Sequence, residues 1–497
     1  MTAVVNQIRL GFYLDSVALM RASRAVEGLA GVEAASLMIG TDANREILDD
    51  AFLLDDVGRN AGANDLIIAV RATDTTTAEA AVLSAIELLE QPTAVDDGGT
   101  GWNPKSLDGA LRTLPGANLA IISVPGSFAV REARRALRRG LHVMVFSDNV
   151  PIAEERELKE DARARGLMMM GPDCGTAIIG GAPLGFANAV PAGDIGIVSA
   201  SGTGLQEVAC LIAREGGGIS HAIGVGGRDL SDTVGGITAL AAIDALDADP
   251  GTSRIVIISK PPGSEVARRI YDRIGKSSKS FTVCLFGIDR PVLPANAEFA
   301  PTLREAAELA LGGVTFGADF DPASFAFDIS LDRHRIVGLY TGGTLCAEAQ
   351  TLLVAAGEPV RSNAPILGAL SIVDGDDFDD HEIIDLGADE YTLGRPHPMI
   401  EPAVRSDALT DAFADPAVAV ILLDVVIGYG AHEDPAGEIA RAIDEAEKGA
   451  AVVASVCGTD ADPQAYTDQV KILRRAGVVV APSNAHAAEL ALSIVKR

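Results

Sequence analysis

Two glycine-rich turns, Ser199-Ala-Ser-Gly-Thr-Gly204 and Thr341-Gly-Gly-Thr344, each follow a short apolar run and precede an amphipathic helical stretch. A backbone that turns at glycine into a helix aims several free N–H groups and the positive end of the helix dipole at one point, which suits a phosphate or a carboxylate. Ser201, Gly202, Thr203 and Gly204 in the first turn, and Thr341, Gly342, Gly343 and Thr344 in the second, are therefore candidate phosphate-binding residues, with hydroxyls adding donors to the backbone. For either turn alone the alternative is a strand-to-helix connection that uses glycine only for its permitted φ angles. Two such turns in similar contexts favour the anion reading.

Further candidates lie nearby in the pattern. Gly226 and Gly227 in Val225-Gly-Gly-Arg-Asp229 extend the phosphate-binding set, and Arg228 offers a bidentate cation for a phosphate or carboxylate. Lys260 stands at a strand end before Pro261-Pro262-Gly263, where it either meets a ligand or is simply solvated; Arg395 and His397 in Gly394-Arg-Pro-His-Pro398 are candidate substrate ligands, with His432 in a second loop. His221, next to Ser220 at a strand start, is the acid–base candidate beside Arg228, against the alternative of a structural histidine entering an apolar strand. No metal site is indicated: Cys174, Cys210, Cys284, Cys346 and Cys457 lack paired spacing and never cluster with histidine. Cys174, in the loop Gly171-Pro-Asp-Cys-Gly-Thr176, either lines a site or is structural.

The elements that must position these residues predict an α/β protein. Up to about Gln91, strand-like Ile8–Tyr13, Glu33–Ile39 and Leu66–Val70 alternate with helices starting near Asp15, Asn44 and Thr75, which reads as a small α+β domain over residues 1–92. The segment Val95–Pro104, dense in Gly, Asp and Pro and carrying Trp102, is a loop or linker. Over residues 93–190, strands at Leu119–Val124, Leu141–Phe146 and Leu167–Met170 with helices between them predict a Rossmann-like parallel sheet. The alternation restarts over residues 191–312 and again over 333–497 as two flavodoxin-like units. The two units repeat each other: Ile195–Glu215 matches Ile336–Gly357, Ile255–Gly263 matches Val418–Ile427, and Cys284–Asp289 matches Val456–Asp460.

Composition narrows the function. With 497 residues, 48% hydrophobic and 22% charged, the chain can bury several cores. A formal net charge of −29 argues against nucleic acid and anionic membrane as partners, since both need a basic footprint. No apolar run reaches membrane-spanning length, and Met1–Arg9 lacks the pattern of a signal peptide, so a cytoplasmic location is expected.

Val124-Pro-Gly-Ser-Phe128, Ser147-Asp-Asn-Val-Pro151, Gly171-Pro-Asp-Cys174, Gly196-Ile-Val-Ser-Ala-Ser-Gly-Thr203 and Gly224-Val-Gly-Gly-Arg-Asp229 occur in the order and spacing of the succinyl-CoA synthetase alpha subunit, which this chain resembles from about Leu119 to Leu311. The last third, with Thr341-Gly-Gly-Thr344, Asp385-Leu-Gly-Ala-Asp389 and Leu423-Asp-Val-Val-Ile-Gly428, resembles the carboxyl-terminal domain of the beta subunit. Fusion of the two in this order resembles the FdrA family. The resemblance implies a Rossmann-like CoA-binding-type domain followed by two ligase domains. It also implies an association with oxamate carbamoyltransferase, a multisubunit enzyme that makes oxalurate and phosphate from oxamate and carbamoyl phosphate. Implied partners are thus an acyl or carbamoyl phosphate, a carboxylate, and other subunits of a hetero-oligomer.

Departures from that pattern matter as much. Where the synthetase carries its phosphohistidine loop, this chain has Gly287-Ile-Asp-Arg-Pro-Val-Leu-Pro-Ala-Asn296, without histidine, and there is no room for an ATP-grasp domain between Leu311 and Arg333. The first strand and glycine turn of the CoA-binding domain are replaced by the small N-terminal domain, leaving Asp97-Gly-Gly-Thr-Gly101 as a relic; coenzyme A therefore stays open as a cofactor. Three readings follow: an acyl- or carbamoyl-phosphate transferase subunit, an acyl-CoA ligase subunit with a separate ATP-grasp partner, and a non-catalytic scaffold.

Overall fold

The computed structural model describes residues 2–496 apart from 13, 15, 63, 64, 91–103, 105, 326, 328, 331, 373–378, 393–396, 447 and 448. Trp102, the Asp97–Gly101 segment and Arg395 lie outside the described residues. The chain up to Thr113 forms one compact unit, and from Leu114 onward it forms a second.

In the first unit the strand Leu66–Ala72 lies between Ala3–Arg9 and Val32–Ile39 in an antiparallel three-stranded sheet. Leu66, Ile68 and Val70 face Leu19, Val26, Ala81 and Val82 of the helices Ser16–Glu27 and Thr75–Glu90; Ile67 and Ala69 face Leu48, Leu53 and Ala61 on the other side. Covering both faces is why this strand reads as an unbroken apolar run rather than an alternating one. Tyr13 lies outside the described residues, and the first strand occupies Ala3–Arg9, starting well before the expected Ile8 and ending before Leu10. Its pairing ends where Arg9 meets Leu66, the first residue of the central strand, so Leu10 beyond it is left 82% exposed.

The second unit starts with a parallel sheet of Leu119–Ile122, His142–Val145 and Met169–Met170, packed with the helices Gly126–Arg138 and Ile152–Ala164. The Met run is a buried strand. Residues 176–185 form a hairpin, Thr176–Ile179 with Ala182–Gly185, that joins the following sheet by antiparallel pairing to Ile219–Gly224. That sheet has seven strands, with Ala192–Ser199 between Ile219–Gly224 and Arg254–Ser259, then Ser280–Leu285 and Ala297–Ala300 beyond. A second seven-stranded sheet, parallel throughout, centres on Arg335–Tyr340, with Val418–Val426, Ala451–Cys457 and Val479–Ala481 on one side and His381–Asp385, Val360–Ser362 and Leu370–Ser371 on the other.

The strand orders match the repeat visible in the sequence. Arg254–Ser259 sits beside the Ala192–Ser199 strand as Val418–Val426 sits beside Arg335–Tyr340, and the next neighbours also correspond. One strand breaks the equivalence. His381–Asp385 is inserted beside Arg335–Tyr340, pairing Tyr340 with Asp385, so Val360–Ser362 is one place further out than its counterpart Ile219–Gly224.

Four helices share a core between these sheets: Gly202–Arg214 and Leu303–Ala310 from one half, Gly343–Ala355 and Asn484–Val495 from the other. Their contact residues include Leu205, Val208, Ala306, Ala307, Leu345, Ala349, Ala487 and Leu490, all buried. Alanine at many of these positions lets the helix axes approach closely, which draws the two halves into one hydrophobic core. The expected α/β fold, with Rossmann-like parallel sheets and a small N-terminal domain, is the observed one. Among the described residues no helix is long and apolar enough to cross a membrane.

Candidate functional site

Both glycine turns start helices, but the two are finished differently. Ser201 caps the Gly202–Arg214 helix, its Oγ accepting the Gly204 N–H at 2.9 Å, while the Ser201 N–H donates to Ser199 Oγ at 3.0 Å. This leaves the N–H groups of Gly202 and Thr203 in the first turn without an intrahelical acceptor. At the second turn an internal carboxylate has taken part of the cradle. Asp424, fully buried at the end of Val418–Val426, accepts the N–H groups of Thr341 at 2.8 Å and Gly342 at 2.7 Å and the Thr341 hydroxyl at 3.1 Å. Arg405, also buried, donates to the Asp424 carbonyl at 2.6 Å and lies 3.4 Å from its carboxylate. Burial pushes the Asp424 carboxyl up, and Arg405 and the loop N–H groups oppose that. Thr341 and Gly342, expected to bind phosphate, are thus committed to Asp424. Gly343 and Thr344 lie in the first helical turn, outside the reach of Asp424.

The two helix N-termini touch. Ser201 Oγ and Thr344 Oγ1 share a hydrogen bond at 2.5 Å. A Cβ on Gly342 would stand 3.0 Å from the Thr203 side chain, and one on Gly204 would stand 3.1 Å from Thr344 Cγ2. Glycine here provides room rather than an unusual φ: both positions lie where the two turns interlock. The positive ends of two helix dipoles consequently converge within one water-poor junction, where their field on an anion is stronger than at a single exposed helix end.

The inserted strand brings Asp385 to this junction. Only 7% exposed, Asp385 accepts the Gly387 N–H through Oδ1 at 3.0 Å and donates its own N–H to Asn363 Oδ1 at 2.8 Å. A Cβ on Gly343 would fall 2.6 Å from Oδ2, so the carboxyl lies directly against the start of the Gly343–Ala355 helix. Burial pushes its pKa up to about 6, opposed by the charge of Lys260. Lys260 is exposed at the end of Arg254–Ser259 and acts on Asp385 and Cys346 from the opposite half of the molecule. His397 borders the same place. A Cβ on Gly387 would lie 2.6 Å from its Nε2 and 3.2 Å from Asp385 Oδ1, while its Nδ1 accepts the Met399 N–H at 3.2 Å. That acceptor role assigns the proton to Nε2, and burial pushes His397 down to about 4, so the ring is neutral at ordinary pH.

Other expected residues are elsewhere. His221 lies at the start of Ile219–Gly224, where its Nδ1 accepts the N–H of Gly180 at 3.0 Å and its Nε2 is 3.9 Å from Asp249. The glycine turns leave the opposite, carboxyl ends of these parallel strands, so His221, expected as the acid–base group, stands away from them and holds the hairpin to its strand instead. Arg228 is held by Glu155 at 2.9 Å and the Val150 carbonyl at 2.7 Å, beside the buried Lys159–Asp229 pair at 2.6 Å. Gly226 and Gly227 pack on Gly171–Asp173: a Cβ on Gly226 would be 2.2 Å from the Pro172 carbonyl oxygen and one on Gly227 3.3 Å from Asp173 Oδ2. These three residues join the helix Ile152–Ala164 and the Gly171–Asp173 loop to the sheet rather than completing the anion cradle. His432 accepts the Asp434 N–H through Nδ1 at 3.1 Å. The Cys174 thiol is buried, donates to the Gly224 carbonyl at 3.4 Å, and is pushed up to about 12 by burial, which makes it unreactive.

Sequence reasoning missed the carboxylates. Asp385, Asp424 and Asp173 all stand inside quoted motifs, yet type and spacing alone did not mark them; burial lifts Asp173 to about 6, Asp148 adding to the shift and Arg228 opposing it. Also missed were Glu207 and Glu348, at the same offset from Gly202 and Gly343 in the two helices. Asn484 joins them, its N–H donating to Glu207 Oε1 at 3.3 Å and its Nδ2 to Glu348 Oε2 at 2.8 Å, while the Leu303 N–H donates to Glu348 Oε1 at 2.6 Å. The repeat was the signal that could have found this pair.

Comparison with known proteins adds to the geometry. Residues 339–494 match the CoA-ligase family model, and residues 1–104 match a model described as the AllF heavy metal-associated domain. No cysteine or histidine precedes His142, so the N-terminal segment carries no thiolate or imidazole ligand, and among the described residues no group of three His, Cys, Asp or Glu side chains is placed to hold a metal. The alpha subunit of the ADP-forming succinate–CoA ligase of Methanothermobacter thermautotrophicus is 29% identical over 179 residues, 35% of this chain and 59% of that subunit. Subunit SauD of the ADP-forming sulfoacetate-CoA ligase of Bilophila wadsworthia is 28% identical over 155 residues, 30% of this chain and 52% of that subunit. Both matches span a little over half of the relative's own length. YahF of Escherichia coli (strain K12) is 38% identical over 507 aligned positions that cover 98% of each protein. With that identity along its whole length, and with a CoA-ligase domain as its last third, the chain belongs to the family of YahF.

Proposed function

We propose that this chain is a subunit of a CoA-ligase-related enzyme that holds an acyl or carbamoyl phosphate at the paired helix N-termini and transfers the acyl or carbamoyl group to a carboxylate-bearing acceptor. The observation that carries this reading is the junction itself, where Ser201 and Thr344 bring two helix starts into contact within 2.5 Å. In this reading the N–H groups of Gly202, Thr203, Gly343 and Thr344 bind phosphoryl oxygens. As the mixed anhydride breaks, negative charge accumulates on the departing phosphate, and fixed dipoles already aimed there stabilise it without reorganising. Lys260 supplies the mobile cation, and Asp385 with His397 forms the polar rim facing the acceptor. The absence of histidine from Gly287–Asn296 fits a reaction that starts from a ready-made acyl phosphate instead of a phosphorylated enzyme. The FdrA resemblance adds the substrate class: carbamoyl phosphate as donor and oxamate as acceptor.

A second reading, acyl-CoA synthesis with a separate ATP-grasp partner, is favoured by the similarity of the central region to alpha subunits of succinate–CoA ligases. Calorimetric titration of the full chain with a phosphonate analogue of carbamoyl phosphate, and separately with coenzyme A, distinguishes the two. Saturable heat from the analogue, competed by phosphate, with none from coenzyme A, is the expected result. Heat from coenzyme A alone refutes the transferase reading in favour of the second, and no heat from either ligand refutes a complete site on this chain.

A further inference from the structure

Asp385 stands where an entering anion must go. Asp385 is only 7% exposed, and its Oδ2 lies so close to Gly343 that no side chain fits between them. Oδ1 takes the Gly387 N–H; among the described residues Oδ2 accepts no hydrogen bond from protein. A carboxylate oxygen set against the first turn of a helix, with no protein donor of its own, occupies the electrostatic place of a ligand.

We propose that Asp385 is an internal competitor for the anion site, so that an anion binds at the paired helix N-termini only as Asp385 takes up one proton from solvent. This rests on the reading of the helix junction as an anion site and adds a proton to its binding equilibrium. The surroundings of Asp385 set the direction. Lys260, from the facing half, favours its charged form, as does the Gly387 N–H, while Asp424 and Glu390 oppose it. Arg405 largely offsets Asp424 from behind, Asn363 offers only an amide, the Cys346 thiol is neutral, and His397 is uncharged above pH 5. With burial the dominant influence, Asp385 is balanced near pH 6, close enough to neutrality that a second negative charge beside it tips it to the protonated form. A protonated Asp385 changes from a repelling acceptor into a donor towards the bound oxyanion. Anions therefore bind more tightly in acid, and at neutral pH each binding event carries a proton into the site beside His397 and the acceptor.

Sulfate is the suitable probe because it does not itself titrate between pH 5.5 and 8. The full chain is titrated with sulfate across that range, in buffers of different ionisation enthalpy to count protons. For one linked carboxyl with a pKa of about 6, affinity is expected to fall roughly fiftyfold between pH 6 and 8, with close to one proton taken up per sulfate at pH 8. Asp385→Asn should remove both the slope and the proton uptake and bind more tightly than the parent chain at pH 8. Lys260→Gln, an exposed change that leaves the fold intact, should move the inflection to higher pH, and it serves if the Asp385 variant does not fold. Sulfate binding with a flat pH profile and no proton uptake overturns the linkage while leaving the anion site in place. No sulfate binding at any pH, in the parent chain or in Asp385→Asn, overturns the anion-site reading itself.

Discussion

Replacing Glu348 with glutamine tests whether the helix layer between the two sheets stores a neutral carboxylic acid. Glu348 is 1% exposed, and burial pushes its pKa to about 7 from an unfolded value of 4.5, with the neighbouring Glu207 adding to the shift and Asn484 and the Leu303 N–H opposing it. Because the folded value is the higher one, the folded protein binds more protons. Its stability is fully expressed below pH 4.5 and is lost as pH rises through 7. At 1.36 kcal/mol per pK unit, the loss between pH 4.5 and 8.5 is about 3 kcal/mol, a sizeable share of the roughly 5–15 kcal/mol by which a typical domain is stable. Glutamine keeps an acceptor for the Leu303 N–H, and its amide can donate to Asn484 Oδ1, which has no partner at present, once the Asn484 amide turns over to present that oxygen in place of Nδ2. Urea unfolding followed by circular dichroism, repeated from pH 4.5 to 8.5, should show the difference between wild type and Glu348→Gln change by about 3 kcal/mol, with the variant more stable in alkali. Asp173 and Asp385, both lifted to about 6, also destabilise the fold as pH rises, but they contribute equally to both proteins and cancel in the difference. Parallel pH profiles for the two proteins would refute the buried-acid argument.

Asp424→Ala should cost about 3–5 kcal/mol, because it strands the buried Arg405 charge and leaves the Thr341 and Gly342 N–H groups without an acceptor; a lowered thermal midpoint checks this, and a wild-type midpoint contradicts it. Gly342→Ala places a methyl 3.0 Å from Thr203, so the helix starts must separate at a cost of about 1–3 kcal/mol; binding of the phosphonate analogue should weaken at least as much as stability falls, and unchanged binding would contradict a site at the junction. His221→Ala should lower stability by about 1 kcal/mol through its bond to Gly180 while leaving analogue affinity unchanged, and loss of affinity would return His221 to the site.

Much of the architecture was legible because local pattern and tertiary role agree. Runs such as Ile255–Ile258 and Val418–Leu423 are apolar throughout since both faces of a parallel strand are covered, and the glycine turns after Val198 and Tyr340 do start helices. The repeat between the two halves was legible for the same reason: equivalent strands need equivalent residues. The first strand was misplaced because apolar Leu10 and Phe12 resemble strand residues, while the pairing partner that ends the strand at Arg9 lies far along the chain.

The anion cradles could be read from residue types because a helix start after a glycine turn is a local property of a few consecutive residues. Which N–H groups stay free was not local. Asp424 removes two of them from a position 82 residues beyond Gly342, and Arg405 holds it there. His221 was a plausible acid–base group in the chain and not in space, since strand direction decides which end of a sheet carries the site. Asp385 reaches the junction through a strand inserted beside Tyr340, a choice of sheet order that composition and periodicity do not encode. The sequence by itself determined the elements, the repeat and the two helix starts, all of which depend on neighbours in the chain. Only the tertiary structure decided that the starts face each other and that a buried carboxyl lies against one of them, because burial, register and charge across the two halves exist only once the sheets have packed.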